Sequence, residues 1–402
     1  MIEIRNVDLL ELEECTVFYR VDYNVPLEDG VITDATRIQS TIPTLLMMRE
    51  RGARIILASH LGRPKGTRLE KYSLRPVRAR LSEIMNVEVD FASDCIGEET
   101  VAKASAVKPG GLLLLENLRF HPGEEANDAG FAAELRHLAS FYVNDAFGAS
   151  HRAHASIVAL PELFPSRNVA GGLLLARELQ FLQKLTNVSA RPFVSLLGGA
   201  KIAGKIEPLE ALVNRADSVL IGGGMANTFL VARGVRMGAS LVDRDSLEVA
   251  RRILGGSHYA TIELPGDLVT ADSTEMPGRV ETVNVEEGVA DGMMAVDIGP
   301  QTIERYSTIL AGAQTIFWNG PMGVFEKESF AAGTSAVAQA VAHSNSMSIV
   351  GGGESVEAVN RSGVAERISH ISTGGGASLE FISGISLPGV AVLEKAFHAS
   401  GD

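Results

Sequence analysis

Residues 193–229 read FVSLLGGAKIAGKIEPLEALVNRADSVLIGGGMANTF. An apolar run (193–197) meets a glycine turn, then a segment with helical spacing of its apolar residues (205–215), a second apolar run (218–221) and a second glycine turn. Strands that are apolar throughout fit a sheet covered on both faces, and a strand–helix–strand order predicts a parallel pair joined by a helical crossover. Glycine lets the backbone approach an anion closely, and the helix behind it offers unpaired N–H groups and the positive end of its dipole.

The same alternation runs outward in both directions. Apolar strands are expected at 17–21, 54–58, 112–115 and 140–144 on one side, and at 293–297, 314–318 and 347–350 on the other. Helical spacing is read at 37–51, 75–86, 127–139, 173–185, 243–255, 300–311 and 329–343. The class is α/β with mostly parallel sheets flanked by helices, and ligands are expected at the carboxyl ends of the strands. A chain of 402 residues exceeds one ordinary core, so two domains are expected. The change of domain is read near 165–190, where PSRNVAGG leads into LLLARELQFLQKL (173–185), a helix able to join two halves.

Composition excludes several functions. The net charge of −13 argues against non-specific nucleic-acid or anionic-membrane binding. No apolar run approaches the roughly 20 residues needed to span a bilayer, and the acidic start MIEIRNVDLLELEE lacks the pattern of a secretory signal. Cys15 and Cys95 cannot staple so large a fold, so a reducing cytoplasm is expected. Against this acidic background, Arg37 to Arg80 carries eleven Arg and Lys and only two acids, Glu50 and Glu70.

The basic residues recur at strand ends. RVDYNVP sets Asp22 and Asn24 just past the first strand, and Arg37 opens a helix after DAT. ASHLGRPKG sets His60, Arg63 and Lys65 after the second strand, LENLRFHPGEE sets Arg119 after the third, and NDAFGASHRAHAS sets His151, Arg152 and His154 after the fourth. Taken singly, Asp22 and Asn24 read as turn or cap residues, the histidines as structural, and each arginine as solvated surface. Repeated at successive strand ends of one sheet, they read as a site for a small, multiply charged phosphate or carboxylate, because the guanidinium fork binds oxyanions bidentately.

The second half repeats glycine instead. SLLGGAKIAGKI (195–206), VLIGGGMANTF (219–229) and SIVGGGESVEAV (348–359) are strand-to-helix junctions, and with Lys201 and Lys205 nearby they favour a nucleotide polyphosphate. Gly199 to Lys205 matches G-x-x-x-x-G-K, yet Ile206 follows where a P-loop needs Ser or Thr for magnesium, so a P-loop is rejected. FWNGPMGVFE (317–326) holds the only tryptophan and two polar residues, Asn319 and Glu326, that could face a ribose; STGGGASLEF (372–381) is a further N–H-rich turn.

Together these motifs resemble the phosphoglycerate kinase family nearly end to end. RVDYNVP, ITDATRI, SHLGRPKG, LLENLRFHPGEE, YVNDAFGASHRAHAS, LLGGAKI, LIGGGMANTFL, DIGPQTIE, WNGPMGVFE and STGGGASLEF stand in the family's order. The resemblance implies two Rossmann-like domains joined by a helical hinge: 1–170 for 3-phosphoglycerate, with the tail 385–402 packing back on it, and 171–384 for nucleotide. It implies reversible phosphoryl transfer between 1,3-bisphosphoglycerate with ADP and 3-phosphoglycerate with ATP, with Mg2+ and domain closure, by a monomer. It assigns Asp22, Asn24, Arg37, His60, Arg63, Arg119 and Arg152 to the phosphoglycerate site. Lys201, Lys205, Asn319, Glu326, Gly351, Gly352, Gly353, Glu354 and Ser355 fall to the nucleotide, Arg37 and Lys205 to catalysis, and Glu354 to the metal.

Two positions depart from the family. Asp-Thr usually follows the GGG turn, where this chain has Glu354-Ser355; a longer carboxylate still reaches a cation. Many members carry Asp before the second lysine, where this chain has Gly204. These departures are the only sequence support for the alternative of a non-catalytic relative that binds nucleotide or phosphoglycerate. A dinucleotide-dependent oxidoreductase would need G-x-G-x-x-G after the first strand, and VDYNVP stands there instead.

Overall fold

The computed structural model describes residues 2–401. The chain divides into two compact units: one runs up to Gln180 and includes the residues from Ser386 on, and the other is Phe181–Ile385.

The first unit is built on β1 (Thr16–Arg20), β2 (Leu27–Glu28), β3 (Val31–Ile32), β4 (Arg54–Ala58), β5 (Asp90–Phe91), β6 (Leu112–Leu114), β7 (Phe141–Asn144) and β8 (Val169–Gly171). Six of these form a parallel sheet in the order β5-β6-β4-β1-β7-β8, with Thr16 opposite Arg54 and Arg20 opposite Ala58; β2 and β3 are a separate hairpin. Successive residues of β1 and β4 are buried on both faces, as their uninterrupted apolar sequence requires. On one face Val17, Tyr19, Ile55 and Leu57 pack with Ile38, Leu45 and Met48 and with Val77 and Leu81 of the helix Arg75–Met85. The stretch 37–51, expected as one helix, is two: Thr36–Ser40 and Ile42–Glu50. Pro43 has no N–H to return to the carbonyl of Gln39, so the ladder breaks there.

The C-terminal helix Pro388–Ala399 belongs to this unit. Gly389 donates its N–H to the Ser150 carbonyl at 2.9 Å, and a Cβ there would stand 2.6 Å from Ile157 Cγ2. Arg5 bonds Ser166 O at 2.9 Å and Ser400 Oγ at 2.8 Å, tying the first residues of the chain to the last.

The second unit holds β9 (Phe193–Leu197), β10 (Ser218–Ile221), β11 (Thr261–Glu263), β12 (Asp267–Ala271), β13 (Val280–Asn284), β14 (Met294–Ile298), β15 (Thr315–Asn319), β16 (Met347–Gly351) and β17 (His370–Ile371). Its main sheet is parallel, in the order β11-β10-β9-β15-β16-β17. The chain winds outward from β9 through β10 to β11, then restarts at β15 on the other side. The boundary between β9 and β15 is therefore the topological switch point, where a crevice opens outside the strand ends. One expectation fails here. The run at 293–297 becomes β14, but it joins an antiparallel sheet, β13-β12-β14, rather than the parallel one. An apolar run alone does not distinguish the two pairings, and the neighbouring β13, VETVN, alternates exposed with half-buried residues as an open antiparallel strand does.

Among the described residues, no helix is long and apolar enough to cross a membrane.

Candidate active site

In the first unit the carboxyl ends of β1, β4, β6 and β7 carry the basic residues. Just past β1, Asp22 accepts a hydrogen bond from Arg37 Nη1 at 3.0 Å, and the same nitrogen bonds the Asn24 carbonyl at 3.1 Å. Asn24 Oδ1 in turn accepts the Gly62 N–H at 2.8 Å, which pins the turn after β4. Arg119, on the turn Leu118–Phe120 after β6, is only 6% exposed; its Nη1 donates to the Gly62 carbonyl at 2.8 Å. Its Nε has no hydrogen-bond partner, the nearest acid being Glu125 Oε1 at 3.4 Å.

His60 lies at the centre of this group. Burial, and then the charges of Arg20, Arg119, Arg37 and His154, hold its pKa well below the ordinary value, so the ring is neutral at physiological pH. The same forces act on His154, whose pKa is pushed down to about 3 by burial and by Arg119, Arg20 and Arg152. Positive charge here exceeds what Asp22, Glu124 and Glu125 balance, which is the condition for binding an anion. Asp22, Asn24 and Arg37 are thus joined by direct bonds, Arg119 meets Asn24 through Gly62, His60 Nε2 stands 3.9 Å from Asp22 Oδ1, and Arg152, though exposed, acts on Arg119 and His154 through its charge. Arg63 is exposed and takes no part in the bonds that join this group.

Sequence reading missed what lies beneath. Arg20, the last residue of β1, is fully buried; its Nε donates to Ser156 Oγ at 2.8 Å, and its Nη2 lies 3.2 Å from His60 Nδ1 and 3.8 Å from Glu124 Oε1. Glu124, equally buried, accepts Ser156 N at 2.9 Å and Ser156 Oγ at 2.6 Å. The signal was a lone arginine inside the apolar run VFYRV.

In the second unit a cleft of about 260 Å³ opens at the switch point. Gly199, Ala200, Gly223, Gly224, Pro321 and Met322 supply backbone-rich walls; Leu241, Leu268, Val296 and Val324 are apolar, and Asn227, Asp297, Glu326 and Glu354 are polar. The turns after β9 and β15 touch so closely that a Cβ on Gly198 would lie 2.0 Å from the Pro321 carbonyl oxygen. Lys205, at the start of the helix Ile206–Val213, donates from Nζ to the Gly198 carbonyl at 2.9 Å. Burial lowers its pKa and Glu354 opposes that shift, so an ammonium with spare donors stands beside a carboxylate at the cleft. Lys201 is exposed.

The GGG turn after β16 is held from within. Asn319 is buried and donates to the Gly351 carbonyl at 2.9 Å, Ser355 Oγ accepts the Gly320 N–H, and Gly352 adopts φ +91° with Asn319 Nδ2 only 2.9 Å from where a Cβ would stand. Asn319 and Ser355 therefore shape the turn and do not line the cleft, whereas Glu326 and Glu354 do. Glu354 opens the helix Gly353–Arg361 and suits a hard cation, which takes one or two protein carboxylates and otherwise ligand phosphates and water. Asp297 does not: its oxygens already accept Gly333 N at 2.6 Å and Ile298 N at 2.9 Å, and burial raises its pKa to about 7.

Comparison with known proteins agrees with both halves of this description. The family model for phosphoglycerate kinase matches residues 7–385. The phosphoglycerate kinase of Moorella thermoacetica is 52% identical over 390 residues, covering 96% of this chain and 98% of that protein. That of Thermomicrobium roseum is 50% identical over 392 residues, covering 97% and 99%. Among solved structures, phosphoglycerate kinase from Pyrococcus horikoshii superposes with a TM-score of 0.89 at 32% identity (98% of this chain, 100% of that one). The Coxiella burnetii enzyme gives 0.85 at 36% (98% and 99%). With two parallel-sheet units, a basic face on one and a glycine-walled cleft on the other, and likeness over nearly its whole length, the chain belongs to the phosphoglycerate kinase family.

Proposed function

We propose that the chain catalyses the glycolytic phosphoryl transfer between 1,3-bisphosphoglycerate with ADP and 3-phosphoglycerate with ATP, as a cytoplasmic monomer (EC 2.7.2.3). Family membership supports the reaction. The observation that carries the site is the group of Arg20, Arg37, Arg119 and Arg152 around a neutral His60, four cations against three acids, Asp22, Glu124 and Glu125. In the direction that consumes ATP, the carboxylate of 3-phosphoglycerate is the nucleophile. It is already ionised at neutral pH, so no general base is required: a carboxylate oxygen bonds the γ-phosphorus as the bond to the β-bridging oxygen breaks. Catalysis is then positioning and charge stabilisation of a loose transition state.

Arg37, oriented by Asp22 and by the Asn24 carbonyl, serves the transferring phosphoryl oxygens together with Lys205. His60, Arg63, Arg119 and Arg152 hold the remote phosphate and the carboxyl end of the three-carbon acid, and Lys201 assists the nucleotide phosphates. The turn Gly351–Gly353, braced by Asn319 and Ser355, presents N–H groups to the same phosphates, and Glu326 serves the ribose. Magnesium, which neutralises charge on the phosphate chain, would be held by Glu354 together with nucleotide oxygens. Because the two ligands are assigned to different units, transfer requires domain motion that brings them together and excludes water from the acyl phosphate. The test is a coupled assay of ADP formation. Turnover that needs both 3-phosphoglycerate and magnesium is expected; ATP binding without such turnover across several metals would refute the reading.

A further inference from the structure

We propose that Arg20, a residue that touches no ligand in the proposed mechanism, is a positioning residue that fixes His60 as a neutral ring with its proton on Nε2. Arg20 ends β1 inside the first unit and spends each of its nitrogens: Nε on Ser156 Oγ, Nη1 on the Val21 carbonyl, and Nη2 on His60 Nδ1 at 3.2 Å. A guanidinium only donates and is always protonated. His60 Nδ1 must therefore accept, and the single proton of the neutral ring sits on Nε2.

A second proton is opposed from every side. It would set N–H against N–H at Arg20 and add a cation among Arg20, Arg119, Arg37 and His154. Among the described residues the acid paired with His60 is Asp22, 3.9 Å from Nε2 and already engaged by Arg37. Glu124, fixed by two bonds from Ser156, offsets the buried charge of Arg20. The consequence is a donor whose state does not follow pH. Without Arg20 a neutral His60 can shift its proton to Nδ1 and turn a bare lone pair on an incoming anion, so only the imidazolium would bind well.

The tautomer rests on the ring's contact with Arg20 and on the cations around it; its effect on substrate rests on the proposed placement of 3-phosphoglycerate at His60. The test uses the full-length protein labelled with 15N-histidine. In the ligand-free wild type, His60 should show Nε2 protonated and Nδ1 bare, unchanged from pH 8 to pH 5.5. In the double variant Arg20→Met, Glu124→Gln, which removes the two buried charges together, burial, Arg119 and Arg37 still oppose a second proton, so His60 should stay neutral but carry part of its proton on Nδ1. The KM for 3-phosphoglycerate should then rise about threefold or more over wild type at pH 8 with kcat changed less than about twofold, while Arg20→Lys should restore the Nε2-protonated ring. A wild-type His60 protonated on Nδ1, or one that titrates above about pH 6, overturns the assignment whether or not the variants fold. The expected shift of tautomer with a KM equal to that of the wild type would instead refute the placement of the substrate at His60.

Discussion

Asp297 offers the sharpest test of the electrostatics in the second unit. It lies in β14 under the cleft, 3% exposed, and burial raises its pKa from 3.8 to about 7. Two N–H donors, from Gly333 and Ile298, lower the value but do not cancel the burial. Between about pH 4 and pH 7 the folded protein therefore keeps a proton that the unfolded chain has released. Stability from this group is complete below the unfolded value and is lost as pH rises through the folded one. At about 1.4 kcal/mol per unit, moving from pH 5 to pH 8 should cost the wild type roughly 2–3 kcal/mol through Asp297. Asp297→Asn does not titrate. It replaces one acceptor by an amide that meets an N–H, a loss of about 1–3 kcal/mol independent of pH. Urea unfolding followed by fluorescence of Trp318, the only tryptophan and a core residue of this unit, reports the relevant transition. The variant should be the less stable protein at pH 5, and the gap should close or reverse at pH 8. Other titrating groups cancel in the comparison. A gap of equal size at both pH values, or one that widens at pH 8, would refute the reasoning.

Three further outcomes are expected. Arg37→Ala should lower kcat by about a hundredfold or more with a smaller change in KM, as removal of one transition-state donor does; steady-state assay of both substrates separates the two constants. Glu354→Gln should raise the magnesium concentration needed for half-maximal turnover by about tenfold while leaving metal-free nucleotide binding, read by calorimetry, nearly unchanged. Gly389→Ala forces a methyl within 2.6 Å of Ile157 Cγ2 and 3.0 Å of Ser150, and should destabilise the first unit by about 1–3 kcal/mol in denaturant unfolding.

The parts of the fold that were legible are those where one sequence pattern has one structural meaning. FVSLL and TIFWN are buried at every position because the sheet is covered on both faces, and they were readable as strands for that reason. The strand VAG at 169–171 and the two-residue strands β5 and β17 left no such trace, since short segments carry too few apolar residues to show a period. Pro43 announces the break at Thr41, yet the apolar spacing on either side is continuous enough to hide it. β14 was found but not its place in an antiparallel sheet, because pairing direction depends on what lies beside a strand and not on its own residues.

A similar division runs through the candidate site. Asp22, His60 and Arg119 follow strands directly, so topology alone gathers them at one edge. Asn319 ends a strand, but its amide turns inward to the Gly351 carbonyl, and no spacing rule distinguishes a side chain that faces a cleft from one that braces the turn beside it. Arg20 marks the opposite case. A strand residue alternates in direction with its neighbours, so Arg20 points away from the face of Tyr19 and can reach Ser156, Glu124 and His60 from below. Its charge is tolerated at full burial only because Glu124 lies close and Ser156 locks both, a coincidence of three segments far apart in sequence. The residues proposed to meet a ligand stand at strand ends and can be read in order along the chain; Arg20 and Glu124, proposed to act through them, lie one layer deeper, where only the fold brings them together.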